Sequence, residues 1–277
     1  MDITNDLSNA IPSIQKRPVQ RVRNGTSSSA TDTVAVEVPV ALVFNGIAYA
    51  VMMVSPIDLE DFAYGFSFTE GIIDHAKQIY DCEHVLTEQG HTLELNIAAE
   101  QFVSFKERKR NLAGRTGCGL CGVESLAQAI RMPTPMHSPH SFHISAITKA
   151  VKDMKTKQSL LEITGATHAA AWCNAAGNID ILREDVGRHN ALDKVIGALL
   201  RTNKNPMEGF LAITSRASYE MVQKTAITGV PLLAAVSGVT NLAIQIAEQS
   251  GVALLGFTRG NDVSIYSHKH RINMDAQ

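Results

Sequence analysis

Two short apolar runs in the second half of the chain, residues 232–236 and 252–255, constrain the fold most. Neither run contains a polar residue, which is typical of a strand buried on both faces of a sheet. One helical pattern precedes the first run, at residues 218–228, and another separates the two runs, at residues 240–249. A further strand is predicted over residues 209–214. Because strands and helices alternate, we expect an α/β fold with a partly parallel sheet between layers of helices.

The 277 residues are enough for two modest domains. Residues 1–33 are rich in serine, threonine and asparagine, and we expect a disordered leader there. Residues 34–132 are predicted to form a smaller β-rich domain, and residues 133–141, with three prolines, an extended linker. Residues 142–272 then form the larger α/β domain. Its first elements are predicted as a helix over 144–157, strands over 168–174 and 178–183, and a helix over 187–201.

Turn signals divide the first domain. Asn45 and Gly46 separate strands predicted over 34–45 and 47–54, and predict a tight hairpin. Ser55 and Pro56 predict the start of a helix that is capped by Ser55 and runs to about residue 71. A second strand pair is predicted at residues 78–86 and 92–97, with Cys82 as a small core residue.

The composition is that of an ordinary globular chain, with 45% hydrophobic residues and a net charge of −2. This balance argues against nucleic-acid binding through bulk charge. No apolar run approaches the length that spans a bilayer, and the first residues lack the pattern of a secretion signal. Four cysteines without a framework of spaced pairs favour a reducing compartment. We therefore expect a cytoplasmic protein.

Cys118 and Cys121 lie three positions apart among the glycines of residues 114–122. Such a pair can bind half of a metal site, cycle between dithiol and disulfide, or carry sulfur as a persulfide. A basic, helical pattern precedes the pair at residues 99–112, and another helix is predicted after it. Positive charge and a helix N-terminus both favour the thiolate. The absence of a second close cysteine pair argues against a zinc site. A thioredoxin-like motif should directly follow a buried strand, and no buried strand is predicted before this pair.

Three polar loops follow successive strands of the predicted sheet, at residues 214–218, 237–240 and 256–262. The carboxyl ends of parallel strands meet at one edge, where helix N-termini also offer backbone donors, so these loops favour a large phosphate-bearing ligand. For any one loop, a simple turn or helix cap is the alternative. A dense ionisable cluster at residues 184–190, which includes His189, is predicted where a strand passes into a helix, with a solvated first turn as the alternative. His168 lies at a strand start, where a histidine beside small apolar residues is more often a core residue than a ligand.

Several unusual motifs occur in a fixed order, and together they resemble the FdhD/NarQ family of formate dehydrogenase accessory proteins. The resemblance covers about residues 34–270. It rests on residues 115–122, 164–170, 184–194 and 215–224 and on Gly256 with Phe257.

The resemblance implies a sulfurtransferase that accepts persulfide sulfur from a cysteine desulfurase and passes it to the molybdenum cofactor, bis-molybdopterin guanine dinucleotide, before the cofactor enters formate dehydrogenase. It implies that Cys118 carries the persulfide with Cys121 as its partner. It also implies a cytidine-deaminase-like, three-layer fold for the second domain and a homodimer. The residues expected to contact the cofactor are Ser215, Arg216, His189, Phe257, Thr258, Arg259, Gly260, Asn261 and Asp262.

Two other classes of function remain open from the residues. A zinc deaminase needs a glutamate beside its histidine and a following cysteine pair. Ala169 and Ala170 follow His168 instead of a glutamate, and no cysteine pair follows it. A non-catalytic chaperone that binds the cofactor or apo-formate dehydrogenase would use the cysteines only as a structural clip.

Overall fold

The computed structural model describes residues 12–87, 90–112 and 133–274, with the side chains of 87 and 107–112 excepted. Fourteen strands and seven α-helices lie within those ranges. The strands are β1 Ile14–Arg23, β2 Thr26–Ala35, β3 Val38–Phe44, β4 Ile47–Val54, β5 Ile79–Thr87, β6 Gly90–Ile97, β7 Phe142–His143, β8 His168–Asn174, β9 Ile179–Asp185, β10 Gly209–Ile213, β11 Leu232–Ala235, β12 Ala253–Arg259, β13 Asp262–Ile265 and β14 Ile272–Asn273. The helices are α1 Leu59–Thr69, α2 Ala99–Leu112, α3 Ile144–Lys157, α4 Ser159–Thr164, α5 Arg188–Thr202, α6 Tyr219–Thr228 and α7 Asn241–Ser250.

The second half is built on a six-stranded sheet in the order β13-β12-β11-β10-β8-β9. Strands β10, β11 and β12 are parallel, and the other neighbours are antiparallel. Alternate residues of the central strands enter two separate cores, because successive side chains of a strand point to opposite faces. One core includes α5, α6 and α7, and the other includes α3. The expected α/β fold with helices on both faces of the sheet is confirmed.

The first half contains a four-stranded sheet in the order β4-β3-β6-β5. The predicted hairpin at Asn45 and Gly46 is present, with Phe44 opposite Ile47. One face of the sheet packs on α1 through Leu42, Phe62 and other fully buried residues. The placement of the domain boundary at residues 133–141 stays a prediction.

Residues 14–35 correct the expectation of a disordered leader, since they form the antiparallel hairpin β1–β2. Asn24 and Gly25 both have positive φ, 49° and 79°, which is the conformation of a two-residue hairpin turn. The polar composition that predicts disorder is therefore outweighed by this turn and by the β-branched residues beside it. Helix α4 packs against β2.

Ser55 is not the cap of α1, contrary to expectation. Helix α1 begins at Leu59 after Asp58, which has a left-handed conformation and makes no side-chain cap. The backbone N–H of Ser55 instead donates to the Asp185 carboxylate at 2.9 Å, and its hydroxyl accepts from Val186 N–H at 3.1 Å. The contact of Ser55 with the segment Asp185–Val186 thus takes the place of the helix cap expected from the local sequence.

Helices α1 and α5 cross closely at two glycines. A Cβ at Gly65 would overlap the carbonyl of Asp193, and one at Gly197 would overlap the carbonyl of Asp61. Ion pairs flank the crossing: Asp61 binds Arg183 and Arg201. The close approach fixes the four-stranded unit against the six-stranded sheet.

Candidate functional site

The polar segments predicted from the sequence meet along one edge of the six-stranded sheet. Strands β10, β11 and β12 end there, and β8 begins there because it is antiparallel to β10. Thr214 N–H donates to Ala169 O at 3.0 Å, and Ala169 N–H donates to Thr214 Oγ1 at 3.0 Å. His168 therefore lies at the same edge as the loops that follow β10, β11 and β12.

Backbone hydrogen bonds join these three loops. Ala217 N–H donates to Gly238 O at 3.1 Å, and Thr240 N–H donates to Ala217 O at 3.1 Å. Phe257 N–H donates to Ser237 O at 3.0 Å. The loops after β10, β11 and β12 thus form one continuous surface, as expected from the sequence.

Phe257 presents its ring at this surface. Its side chain is about half exposed (49%), and its φ of 51° is uncommon for a residue other than glycine. The ring packs over Gly238, where a Cβ would come within 3.1 Å of the ring Cζ. Such strained, exposed aromatics cluster at ligand sites, and the ring offers a face on which a planar base can stack.

The other residues predicted in this turn differ in exposure. Thr258 is buried, and its hydroxyl has no hydrogen-bond partner among the described residues. Arg259 Nε donates to Val236 O at 3.0 Å, which anchors the guanidinium at the surface. The rest of the turn is exposed: Gly260, Asn261 and Asp262.

Ser215 and Arg216 lie in the loop after β10, and the structure separates their roles. The Ser215 hydroxyl donates to Arg216 O at 3.0 Å within its own turn, which fits the local alternative of a turn residue. Arg216 is exposed at the same edge. The contact of either residue with a cofactor stays a prediction.

His189 joins the first turns of α5 and α6. Its Nε2 lies 2.8 Å from Glu220 Oε2, and that contact lowers the pKa of the Glu220 carboxyl although burial opposes the shift. Burial lowers the pKa of the nearby His168, and the charges of Arg188 and His189 lower it further. His168, Arg188, His189 and Glu220 are thus close enough to influence one another at this end of the sheet.

A buried ion pair lies beneath the edge. Lys194 Nζ donates to Asp185 Oδ2 at 2.6 Å, and neither side chain is exposed. Asp185 also accepts from the N–H of Ser55 and Gly187 and from Asn190 Nδ2. Burial lowers the pKa of Lys194, and the Asp185 carboxylate opposes that shift. The pair holds the end of β9, the start of α5 and the segment after β4 together.

Glu184 has a structural role at the same place. Its two carboxylate oxygens accept from Leu160 N–H and Leu161 N–H, both at 2.9 Å, and one also accepts from the Thr167 hydroxyl. A carboxylate at a helix N-terminus is a favourable arrangement. Much of the ionisable cluster at residues 184–190 is therefore structural. No local pattern predicts the burial of Lys194, because its partner Asp185 is nine residues away and lies on another element.

Two of the four cysteines lie within the described residues, and neither is a thiolate. Burial raises the pKa of both Cys82 and Cys173 to about 12. Cys173 is fully buried in the sheet, and Cys82 packs at the edge of the first core. Cys118 and Cys121 lie outside the described residues. The basic helix that the sequence predicts before them is α2.

Among the described side chains, no group of three or more His, Cys, Asp or Glu is arranged to hold a metal ion. No described helix has the length and apolar character required to cross a membrane.

Comparison with known proteins places these features in context. The sequence profile of the FdhD/NarQ family matches residues 35–273. A protein of Cupriavidus necator named sulfur carrier protein FdhD is 51% identical over 258 residues, which are 93% of this chain and 90% of the relative. The protein of the same name from Variovorax paradoxus is 51% identical over 256 residues, 92% of each chain.

One solved structure has the same fold. It is a crystal structure of a protein provisionally named as a formate dehydrogenase accessory protein, from Desulfotalea psychrophila. Its TM-score is 0.74, at 24% identity, and the match covers 95% of this chain and 100% of that one.

Proposed function

The chain belongs to the FdhD/NarQ family, and on that premise we propose that it is a sulfur carrier that serves formate dehydrogenase. The observation that carries the proposal is the pair Cys118 and Cys121, set among glycines and basic residues, in a chain that is 51% identical to relatives named sulfur carrier proteins.

Cys118 is the proposed carrier atom. Its thiolate attacks the outer sulfur of a cysteine desulfurase persulfide, so that the donor's S–S bond breaks and a new S–S bond forms on Cys118. The desulfurase cysteine leaves as a thiolate, and the exchange needs no external oxidant or reductant. A thiolate is required for this attack, and the cations of residues 106–115 favour it.

The described cysteines support this choice by contrast. Cys82 and Cys173, with pKa values of about 12, remain protonated at neutral pH and are poor nucleophiles. Cys121 has two possible roles. It can attack Cys118 Sγ, which releases hydrosulfide and leaves a disulfide for a cellular thiol to reduce, or it can contact the desulfurase.

The second substrate is the molybdenum cofactor, bis-molybdopterin guanine dinucleotide. The surface formed by the three loops supports its binding, because it combines an exposed aromatic ring with Arg216 and Arg259. We propose that Phe257 stacks on guanine and that His189 and residues 258–262 contribute the remaining contacts. We further propose that the carrier works in the cytoplasm as a homodimer, with a cysteine desulfurase as donor and formate dehydrogenase as the recipient of the sulfurated cofactor.

The test is the intact mass of the full chain after incubation with a cysteine desulfurase and L-cysteine. We expect a reductant-sensitive gain of one sulfur atom in the wild type and none in Cys118→Ala. Cys82→Ala is the matched control, because its thiol is protonated, and it should load like the wild type. No gain in the wild type would contradict the carrier role and favour a chaperone that only binds the cofactor. A gain that survives in Cys118→Ala would move the carrier atom to Cys121.

A further inference from the structure

Strands β1 and β2 form an arm, residues 14–35, that has no core of its own. Most of its side chains are exposed. Helix α4 packs against β2, but its six residues span about 9 Å, whereas a strand of ten residues spans about 33 Å. A two-stranded hairpin on its own is marginally stable at best in water. The arm therefore has the form of an element that a partner surface completes.

One face of the arm is basic. Arg17, Arg21 and Arg23 lie on the same face of β1, because residues two apart along a strand point the same way. Val19 lies between the first two of them on that face. Asp32 pairs with Arg21 at 3.3 Å, whereas no carboxylate of the described residues pairs with Arg17 or Arg23. The arm thus presents exposed arginines beside a valine.

The outer face of the four-stranded sheet has the opposite charge. The buried residues of this sheet pack on α1, so the alternate residues point outward. The outward charged residues are Asp81, Glu83 and Glu94, all exposed, and we call them the acidic face. The four strands, all within the described residues, contain no lysine or arginine.

The acidic face contains a pair of like charges. Glu83 lies directly opposite Glu94 on the neighbouring strand. Like charges in this position destabilise a sheet. A cation placed between the two carboxylates would remove that cost, so the acidic face favours a cationic partner.

An apolar row lies beside the acidic face on the same side of the sheet. Val51 and Met53 on β4 are 66% and 49% exposed. Ala41 lies opposite Val51 on one side and Thr92 on the other, and Val85 lies opposite Thr92. Exposed apolar patches with a polar rim mark interaction surfaces. The sheet therefore offers carboxylates next to an apolar row, as the arm offers arginines next to a valine.

The dimensions of the two surfaces also agree. Arg21 and Arg23 are two residues apart on β1, as Asp81 and Glu83 are on β5, and both spacings are about 6.6 Å. One face of the arm is about 33 Å long and about 10 Å wide, or about 330 Å². In a two-fold symmetric dimer the same contact occurs twice, and the total area buried is then about 1,300 Å², which is within the range of stable interfaces.

We propose that the arm of one copy of this chain lies on the acidic face of a second copy, and that the contact is reciprocal. Arg23 lies between Glu83 and Glu94 of the other copy, and Arg21 lies near its Asp81. The occupant is a second copy because this chain itself supplies both complementary surfaces. The inference rests on the homodimer of the proposed function and names the surfaces that form it.

The experiment reverses one charge on each surface. Sedimentation of the full chain in an analytical ultracentrifuge measures the Kd of the dimer. Arg23→Glu brings a third carboxylate to Glu83 and Glu94, and Glu83→Arg brings two arginines together. Each variant alone should therefore have a Kd about tenfold higher than the wild type, or more. The Kd of the wild type should also rise with salt concentration.

A mixture of the two variants separates a direct contact from a loss of folding. In a heterodimer of Arg23→Glu with Glu83→Arg, each arm meets a face of opposite charge. The mixture should therefore dimerise with an affinity near that of the wild type, which two misfolded variants could not do. Lys152→Glu, an exposed position on α3, is the matched control and should leave the Kd unchanged.

Three results would overturn the proposal: a wild type that stays monomeric, a dimer whose Kd is the same in Arg23→Glu, or a mixture that does not recover the affinity. Sulfur loading of the wild type is measured in parallel, so the failures are distinguishable. A protein that loads sulfur but does not dimerise through these charges refutes the interface and leaves the carrier role intact. One that dimerises through them but loads no sulfur refutes the carrier role alone.

Discussion

The buried pair of Asp185 and Lys194 gives the sharpest prediction about stability. Lys194→Met keeps most of the side-chain volume but removes the ammonium group that lies 2.6 Å from Asp185 Oδ2 and 3.0 Å from Ser55 O. Both side chains of the pair are fully buried, so the change leaves an uncompensated carboxylate away from water. Breaking such a pair costs about 3–5 kcal/mol.

Asp185 still accepts hydrogen bonds from three donors after the change. We therefore expect the free energy of unfolding to fall by about 3 kcal/mol, the lower end of that range. In a chain of this size each kcal/mol corresponds to about 2–4 °C in Tm, so the Tm should fall by about 6–12 °C. The assay is urea unfolding of the wild type, Lys194→Met, Asp185→Asn and the double variant. The double variant leaves no unpaired charge. Its loss of stability should therefore be smaller, by about 1 kcal/mol or more, than the sum of the losses in Lys194→Met and Asp185→Asn.

Lys204→Met is the matched control. Lys204 pairs with Asp180 at 2.8 Å, but the two side chains are 39% and 28% exposed. Solvent screens such a pair, so its loss should cost no more than about 1 kcal/mol. The reasoning would be refuted if Lys194→Met cost as little as Lys204→Met, or if the two single losses were additive.

Two further predictions concern the helix crossing and His168. Gly197→Ala should destabilise the protein by about 1–3 kcal/mol or more, because its methyl group would overlap the Asp61 carbonyl. Gly165→Ala is the control: its Cβ meets no atom within 4 Å, so the change should cost only the strain of a φ of +67°. Equal losses of stability for the two variants in urea unfolding would argue against a tight helix crossing. Burial and the charge of Arg188 lower the pKa of His168 below 6.5 in the folded state. The unfolded chain therefore binds this proton at a higher pH than the folded chain does. The free energy of unfolding should fall as the pH drops from about 6.5 to the folded-state pKa. His168→Gln should make the stability less dependent on pH in that range. If the wild type and His168→Gln had the same urea midpoint at every pH between 5 and 8, the lowered pKa of His168 would be contradicted.

Local patterns predict the strands and helices of the second half well. Elements over residues 144–157 and 168–174 are predicted at their observed bounds, and several others to within two residues. The reason is that buried parallel strands read as continuous apolar runs and the helices between them are amphipathic. The short helix α4 escapes prediction because it depends on Glu184, which is 24 residues from Leu160.

Turn chemistry explains one success and one failure. Asn45–Gly46 lies between apolar strands and predicts its hairpin, whereas Asn24–Gly25 has the same chemistry between polar strands. Composition favoured disorder in the second case, although the turn has the conformation that Asn-Gly prefers. Ser55 shows the opposite error, since a good local cap signal yields to a contact with Asp185, 130 residues away.

The site was predictable in position but not in its electrostatics. Strand ends and polar loops indicate the sheet edge, and the structure brings Ser215, Phe257 and His189 to it. The missing cap of α6 carries no sequence signal, because Ser218 is a residue type that normally caps a helix. In the structure its hydroxyl makes no cap hydrogen bond and has no partner among the described residues.

The most direct measurement of the central claim follows labelled sulfur out of the loaded protein. The wild type is loaded with ³⁵S from labelled cysteine and a desulfurase, freed of donor, and mixed with the molybdenum cofactor and apo-formate dehydrogenase. The account predicts that the label moves to the cofactor fraction and that formate dehydrogenase activity rises with it, whereas Cys118→Ala supports neither. Label that stays on the protein while activity appears, or full activity with Cys118→Ala, would contradict the claim that this chain carries sulfur on Cys118.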